Sequence, residues 1–415
     1  MKVILIGAGL QGIATALDLA WNREMEKFTI ADYDLNRAQY VADLCNKKYG
    51  DRAEAVWCDV NERAALVKLL QDYDVCINVV NYYYNCSIME ACLEAKTNYI
   101  DIGGLYVETI KQVKYDKQFR DAGLLAIIGI GGTPGVTNVC AEWAADRLDT
   151  VESMDFFCGC DDWGQSRNFE VTYSIETIMD EFFMKPIQYL DGKYVEVEPR
   201  SGNMTVQYLN PIGEQDAYYL MHSEQGTIPE SFKAKGLKNC TYRIGFPDEI
   251  LEKLKFLHQL GFSKQGTVNF EGHDIKPVKV LKKLMELQPV DPDAKINDCD
   301  MIKTVVTGTK DGRKIRYSLD MICRPVKEWP ELMGAQVYIG GAPAWAAELM
   351  RTGVINKKGA LAPELCIPPE PFFAEAARRE MYVRAIKTEL LGTDNWDAAL
   401  KKELVDQGIS GGDLD

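Results

Sequence analysis

Gly7-Ala8-Gly9-Leu10-Gln11-Gly12 has the G-x-G-x-x-G spacing that lets a main chain lie against a pyrophosphate. Its setting gives the pattern meaning. The apolar run Lys2–Ile6 precedes it and the helical stripe Ile13, Ala16, Leu17, Ala20 follows, so strand, tight turn and helix come in the order the chemistry needs. Gly7 makes the turn, Gly9 admits the phosphates, and Gly12 lets helix and strand pack closely. The free N–H groups near Leu10 and Gln11 face the anion. Asp32, twenty residues after Gly12, stands at the end of the next strand, where a carboxylate accepts both ribose hydroxyls and repels a 2′-phosphate. These residues predict NAD(H) over NADP(H), with Arg37 as the nearby cation that softens the preference. Asp59 and Val60 end a third strand and are placed for the adenine. Asn78, Val79, Val80 and Asn81 end a fourth, where nicotinamide contacts gather; Asn81 reads equally well as the cap of a turn before Ser87. The triplet Tyr82-Tyr83-Tyr84 reads first as packing.

Further chemistry-bearing residues stand at later strand ends. Tyr99-Ile100-Asp101-Ile102-Gly103-Gly104 and Gly129-Ile130-Gly131-Gly132-Thr133-Pro134-Gly135 are glycine-dense turns of the kind that approach a bound group or serve as hinges. Arg243 carries a guanidinium fork suited to a carboxylate, against the alternative of a surface ion pair. Asp161-Asp162 could attract a cationic amine, with a solvated turn as the plainer reading. Of the three histidines, His258 falls on a helix as a structural residue, His273 carries no reading, and His222 follows an apolar strand within reach of a site. No C-x-x-C pair occurs and Cys158-x-Cys160 is too tight for half of a zinc site, so no metal is expected.

The elements that must position these groups follow from two alternating hydrophobic periods. Lys2–Ile6, Lys27–Ala31, Ala53–Cys58, Val75–Val80, Asn98–Ile102 and Leu124–Gly129 read as buried strands, with amphipathic helices between them. That alternation predicts an α/β fold, a Rossmann-type doubly wound parallel sheet. After Thr150 the texture changes to strands without regular helices: Val151–Cys160, Met204–Leu209, Cys240–Ile244, Ile302–Thr309 and Lys314–Ile322, the last two joined at Lys310-Asp311-Gly312. Asp248–Leu260 and Pro277–Leu287 read as helices. The expected domains are therefore 1–134, a dinucleotide-binding domain, and 135–335, an α+β domain with a largely antiparallel sheet. Residues 336–390, with helices at Pro343–Met350 and Pro369–Arg379, are expected to return to the first domain, and 391–415 to form a tail frayed at Ser410–Asp415.

Composition narrows the function classes. The chain has 415 residues, 47 Lys plus Arg against 62 Asp plus Glu, and a formal net charge of −15. Such a balance disfavours nucleic acid and anionic membrane as partners and leaves small molecules. Twelve cysteines without a disulfide-scaffold spacing, and no signal peptide or membrane span, predict a cytoplasmic protein with reduced thiols.

Several motifs resemble the saccharopine dehydrogenase family: the amino-terminal glycine motif, Tyr99-Ile100-Asp101-x-Gly103, Pro134-Gly135-Val136-Thr137-Asn138, Thr172-Tyr173-Ser174-Ile175-Glu176, Thr241-Tyr242-Arg243-Ile244-Gly245-Phe246-Pro247 and Leu361-Ala362-Pro363-Glu364. The resemblance spans about residues 1–390 and implies a homodimer joined through the second domain, with hydride transfer between a nicotinamide and a carbon that bears an amine. It places substrate contacts at Gly103, Thr133, Cys158 and Arg243, and pairs Tyr173-Ser174 with a Trp/Tyr-Ser motif. Thr133 stands where saccharopine-forming relatives carry Asp, so a carboxylate for an amino group is missing. The expected reaction is NAD-dependent oxidation at the ε-carbon–nitrogen bond of lysine or saccharopine, with Asp101 as general base; the other reading of Asp101 is a turn acceptor. The alternatives are a reductive condensation of an amino acid or diamine with an oxo acid or aldehyde, of the carboxynorspermidine dehydrogenase kind, and an NAD(H)-binding protein without chemistry.

Overall fold

The apolar runs of the amino-terminal region become strands β1 (Val3–Ile6), β2 (Phe28–Asp32), β3 (Ala53–Trp57), β4 (Val75–Asn78), β5 (Asn98–Asp101) and β6 (Leu125–Ile127). The structure is a computed structural model that describes residues 1–264 and 266–389; the expected tail at 391–415 lies outside them. Later strands are β7 (Thr150–Asp162), β8 (Ile187–Leu190), β9 (Lys193–Glu196), β10 (Met204–Gln207), β11 (Glu214–Tyr219), β12 (Asn239–Gly245), β13 (Val268–Phe270), β14 (His273–Ile275), β15 (Asp298–Lys310), β16 (Arg313–Cys323), β17 (Gly359–Leu361) and β18 (Val383–Glu389).

The first sheet is parallel, in the order β17-β6-β5-β4-β1-β2-β3. Strands β1, β2, β4 and β6 are buried along their whole length, as a parallel sheet covered on both faces requires. This is the Rossmann-type sheet that the periodicity predicts. The second sheet runs β10-β11-β12-β7-β15-β16-β18, with β8 on β12 and β9 on β8. Among β7–β12, β15 and β16 every pairing is antiparallel except β12 with β7. The β15–β16 turn is a two-residue hairpin with Asp311 at φ 50° and Gly312 at φ 74°, the left-handed pair that such a turn demands.

Contacts divide the chain into two units. One comprises Met1–Arg147, Gly226–Ala234 and Gln336–Val383; the other comprises, among the described residues, Leu148–Gln225, Lys235–Ala335 and 384–389. The first unit extends past the expected boundary at 134 because helix Val136–Ala145 packs on Pro363–Cys366 and Pro369–Arg378. Pro343 does not begin a helix, as its sequence suggests, but lies inside Gly334–Arg351. The hydrogen bond that proline cannot donate is offset by packing on helix Leu10–Trp21. A Cβ on Gly340 would sit 2.7 Å from the Gln11 carbonyl oxygen, and Thr15 Oγ1 donates to Gly340 O at 2.7 Å. Among the described residues no helix is long and apolar enough to cross a membrane.

Candidate active site

At the carboxyl end of β1 the backbone is built for close approach. Gly7 has φ +105°, and a Cβ there would meet Val80 Cγ1 at 3.0 Å; one on Gly12 would lie 2.0 Å from Gly7 O. These two glycines answer to the protein's own packing. At Gly9 a Cβ would meet nothing within 4 Å, so that side of the turn is open. Helix Leu10–Trp21 starts there with no side-chain cap and no acidic residue in its first turn, leaving the N–H groups of Leu10 and Gln11 for an anion. Asp32 is buried and fixed by two main-chain donors, Ala8 N–H to Oδ2 at 2.7 Å and Asp34 N–H to Oδ1 at 2.9 Å. An open positive turn beside a carboxylate with lone pairs to spare fits a nicotinamide dinucleotide.

The other expected cofactor contacts are less free. Asp59 accepts from Asn61 through main chain and side chain, at 2.9 and 2.8 Å, and Val60 leans on the core. Asn81 caps the short turn Tyr82–Tyr84 by accepting from Tyr83 N–H at 3.1 Å, the second of its two readings. Asn78 requires correction. It is 1 % exposed and its amide is used internally, Nδ2 donating to Asn85 Oδ1 and Tyr99 Oη at 2.9 Å and Oδ1 accepting from Val80 N–H at 3.2 Å.

Asp101, the expected general base, is likewise an internal acceptor. Its Oδ1 takes Gly103 N–H at 2.8 Å and Gly129 N–H at 2.7 Å, while Oδ2 takes Gln112 Nε2 at 2.5 Å. Burial raises its pKa and these donors pull it back; with 1 % exposure it clamps two glycine turns and is not placed to receive a ligand's proton. The clamp brings Gly103 and Thr133 together. A Cβ on Gly103, at φ +99°, would meet Pro134 Cγ at 2.5 Å, and Thr133 is the half-exposed residue of that otherwise buried turn. Asn138 and Glu364 hold the turn from behind: Asn138 Oδ1 accepts from Gly135 N–H at 3.0 Å and its Nδ2 donates to Glu364 Oε2 at 2.8 Å. Sequence reasoning missed Glu364, although it sits in the quoted Leu361–Glu364 motif.

In the second unit the register separates two expected substrate contacts. Arg243 pairs with Phe157, and Ile244 with Cys158, across parallel β12 and β7. Side chains alternate along a strand, so Arg243 and Cys158 leave opposite faces of the sheet. Arg243 is occupied on its own face: Nε donates to Gly202 O at 2.7 Å, Nη1 to Thr241 Oγ1 at 2.9 Å, and its guanidinium lies 4.1 Å from the Tyr219 ring. The two expected contacts therefore do not share a face, and the Arg243 fork that was expected for a substrate carboxylate is engaged by the protein itself. Cys158 shares its face with Tyr242, and Tyr173 is joined to that face through Glu181 and through His222, whose ring stacks on Tyr242.

Two groups lie near Phe246, which follows β12. Phe246 lies 6.3 Å from Tyr173 and 5.4 Å from Phe182, centroid to centroid. Beside Phe246 a cavity of about 380 Å³ is lined by Asp161, Glu214, Asp216 and Asp248, with Thr205 and Gln215. Burial pushes the Asp161 pKa up. His222, expected within reach of a site, belongs to a cluster with Glu224, Glu181 and Tyr173. The spacing His222-x-Glu224 was the signal in the sequence; nothing there pointed to Glu181. Among the described residues no group of three His, Cys, Asp or Glu converges as a metal site.

Residues 3–127 match the family described as saccharopine dehydrogenase NADP binding domain, and residues 131–381 match the saccharopine dehydrogenase C-terminal domain. The chain is 26 % identical over 386 residues to a carboxyaminopropylagmatine dehydrogenase of Synechocystis sp., covering 90 % of this chain and 94 % of that one. It is 28 % identical over 338 residues to a carboxynorspermidine synthase of Vibrio alginolyticus, covering 76 % and 79 %. The apo saccharopine dehydrogenase (L-Glu forming) of Saccharomyces cerevisiae has the same fold, with a TM-score of 0.70 over 93 % of this chain and 99 % of that one at 16 % identity.

Proposed function

The chain belongs to the saccharopine dehydrogenase family, and from that premise we propose that it moves a hydride between NAD(H) and the carbon of a C–N bond in a carboxyl-bearing polyamine. The reading is the reductive condensation, in preference to lysine or saccharopine oxidation. The cavity lined by four carboxylates carries it, because those groups favour a ligand with positive charge beyond the reacting nitrogen. Likeness over most of their length to relatives named for carboxyaminopropylagmatine and carboxynorspermidine supports the same choice.

When bound, the nicotinamide supplies or accepts the hydride at its C4. This chain's residues do the rest. The open turn at Gly9 and the helix N-terminus hold the phosphates, and Asp32 is fixed where the ribose lies in this architecture. A 2′-phosphate would meet its negative charge, which supports NAD(H) over NADP(H). Gly103 and Thr133 shape the turn at Pro134 that Asp101 clamps, and this reading gives the substrate the Cys158 and Tyr242 face of the second sheet, to which Tyr173 is joined through Glu181 and His222.

Offering the protein carboxynorspermidine, carboxyaminopropylagmatine, saccharopine and lysine with NAD⁺ or NADP⁺ tests the reading. The expected kcat/KM for the first two exceeds that for the others by at least about tenfold, which corresponds to roughly 1.4 kcal/mol of transition-state binding. A preference for saccharopine or lysine overturns it, as does silence with all four. Asp32→Ser should weaken NADH by about tenfold, the worth of one charge-assisted hydrogen bond, and narrow its advantage over NADPH. An unchanged ratio would contradict the ribose contact.

A further inference from the structure

Tyr173 Oη donates to Glu181 Oε2 at 2.5 Å, Glu181 Oε1 lies 3.9 Å from His222 Nε2, and His222 Nδ1 is hydrogen-bonded to Glu224 Oε2. Glu181, His222 and Glu224 are buried, whereas Tyr173 is partly buried. The series therefore has a closed end at Glu224 and an open end at Tyr173. Stacking on Tyr242, with centroids 3.8 Å apart and planes 10° from parallel, fixes the His222 ring. Two flanking residues have spare hydrogen-bonding capacity: Thr172 Oγ1 and Ser223 Oγ are buried without a partner among the described residues. Removing three ionisable groups from water is expensive for a fold and binding shape alone does not call for it.

We propose that Tyr173, Glu181, His222 and Glu224 form a proton relay for the C–N bond that is made or broken, with Tyr173 as the catalytic residue that meets the substrate and the other three as positioning residues behind it. The relay rests on the reductive-condensation reading. In that direction the amine nitrogen adds to the carbonyl carbon, forming the C–N bond and a hydroxyl. The hydroxyl takes the Tyr173 proton and leaves as water, while the nitrogen lone pair closes the C=N bond. The phenol oxygen recovers a proton from Glu181, and Glu181 recovers one from His222 once the 3.9 Å between them closes or a water bridges it. The iminium carbon then takes the hydride of the reduced dinucleotide, so one proton is consumed, the carbon is reduced and the dinucleotide is oxidised.

The electrostatics suit that traffic. Burial, against the opposing effect of His222 and Tyr173, pushes Glu181 up to about 7; Asp180 and Glu224 also face it and push the same way. Burial alone would lower His222, but Glu224 and Glu181 outweigh it and raise the imidazole above its usual value. Burial and Glu181 raise the Tyr173 phenol, with Tyr242 and Cys158 adding to the effect, so Tyr173 passes a proton on without ionising.

Two measurements test the relay. Tyr173→Phe should lower kcat by about a hundredfold with KM little changed, and Glu181→Gln should lower kcat and abolish the break near neutral pH in kcat/KM. A Glu181→Gln enzyme, folded by circular dichroism, that keeps the wild-type pH profile overturns it. Independently of any substrate, the His222 ring in ¹³C-histidine-labelled protein should titrate with a second step that Glu181→Gln removes. A single step insensitive to Glu181→Gln also overturns the relay. Wild-type silence with every amine would instead count against the substrate reading, and the ring titration would still decide the relay.

Discussion

A buried carboxylate is a clamp or a proton carrier according to what faces it. Asp101 receives three N–H donors and is spent on them; Glu181 receives one phenol and faces an imidazole. The difference has a consequence for stability. Glu181 is raised from 4.5 to about 7, so the folded chain holds a proton there that the unfolded chain releases. Its contribution is full below about pH 4.5 and is lost as pH rises through about 7; His222, also raised, acts in the same direction at higher pH. The melting temperature should therefore fall between about pH 5 and about pH 8, and Glu181→Gln, which needs no proton, should flatten part of that fall in a scanning fluorimetry series. Equal slopes for the two proteins would refute the protonated carboxyl. Sequence showed the types at these positions but not their partners. The clamp of Asp101 depends on Gln112 and Gly129, 11 and 28 residues away, and the face that Arg243 leaves depends on a register with Phe157.

The elements were more legible because burial on both faces writes itself as continuous apolar runs. Val75–Asn78 and Asn98–Asp101 fall within the predicted runs, and Asp311-Gly312 is the hairpin turn that its residue types require. What remained hidden is long-range. Strand β17 joins β6 from more than two hundred residues away, and Pro343 inside a helix defeats the usual boundary rule. A buried pair ties the carboxyl-terminal helices to the first sheet's unit: Arg379 Nη2 lies 2.5 Å from Asp18 Oδ1, both side chains 1 % exposed, with Trp345 Nε1 donating to Asp18 Oδ2 at 2.9 Å and Glu375 holding the other side of the guanidinium. Removing Arg379 leaves Asp18 charged and buried, so Arg379→Ala should cost about 3–5 kcal/mol in urea unfolding, whereas Asp18→Leu with Arg379→Met should cost far less. If the single and double variants unfold alike, the pair is not what holds these helices.

At the scale of the molecule, charge joins the two halves of the functional reading. The excess of 62 acidic over 47 basic residues gives −15, a charge that disfavours nucleic acid and anionic membrane. The four carboxylates around one cavity give that excess a local focus, and a cationic amine would then be drawn by the whole field as well as by the cavity. A dinucleotide gains nothing from such a field and must rely on the local main-chain donors at Leu10 and Gln11. Salt separates the two contributions. Between about 0.01 and 0.15 M salt the screening length shortens from about 30 Å to about 8 Å, so kcat/KM for a polycationic substrate should fall several-fold. The KM for NADH should hold or decrease over the same range. A salt-independent kcat/KM for the polycation would show that the molecule's charge serves hydration alone, and would remove the electrostatic argument for a polyamine substrate.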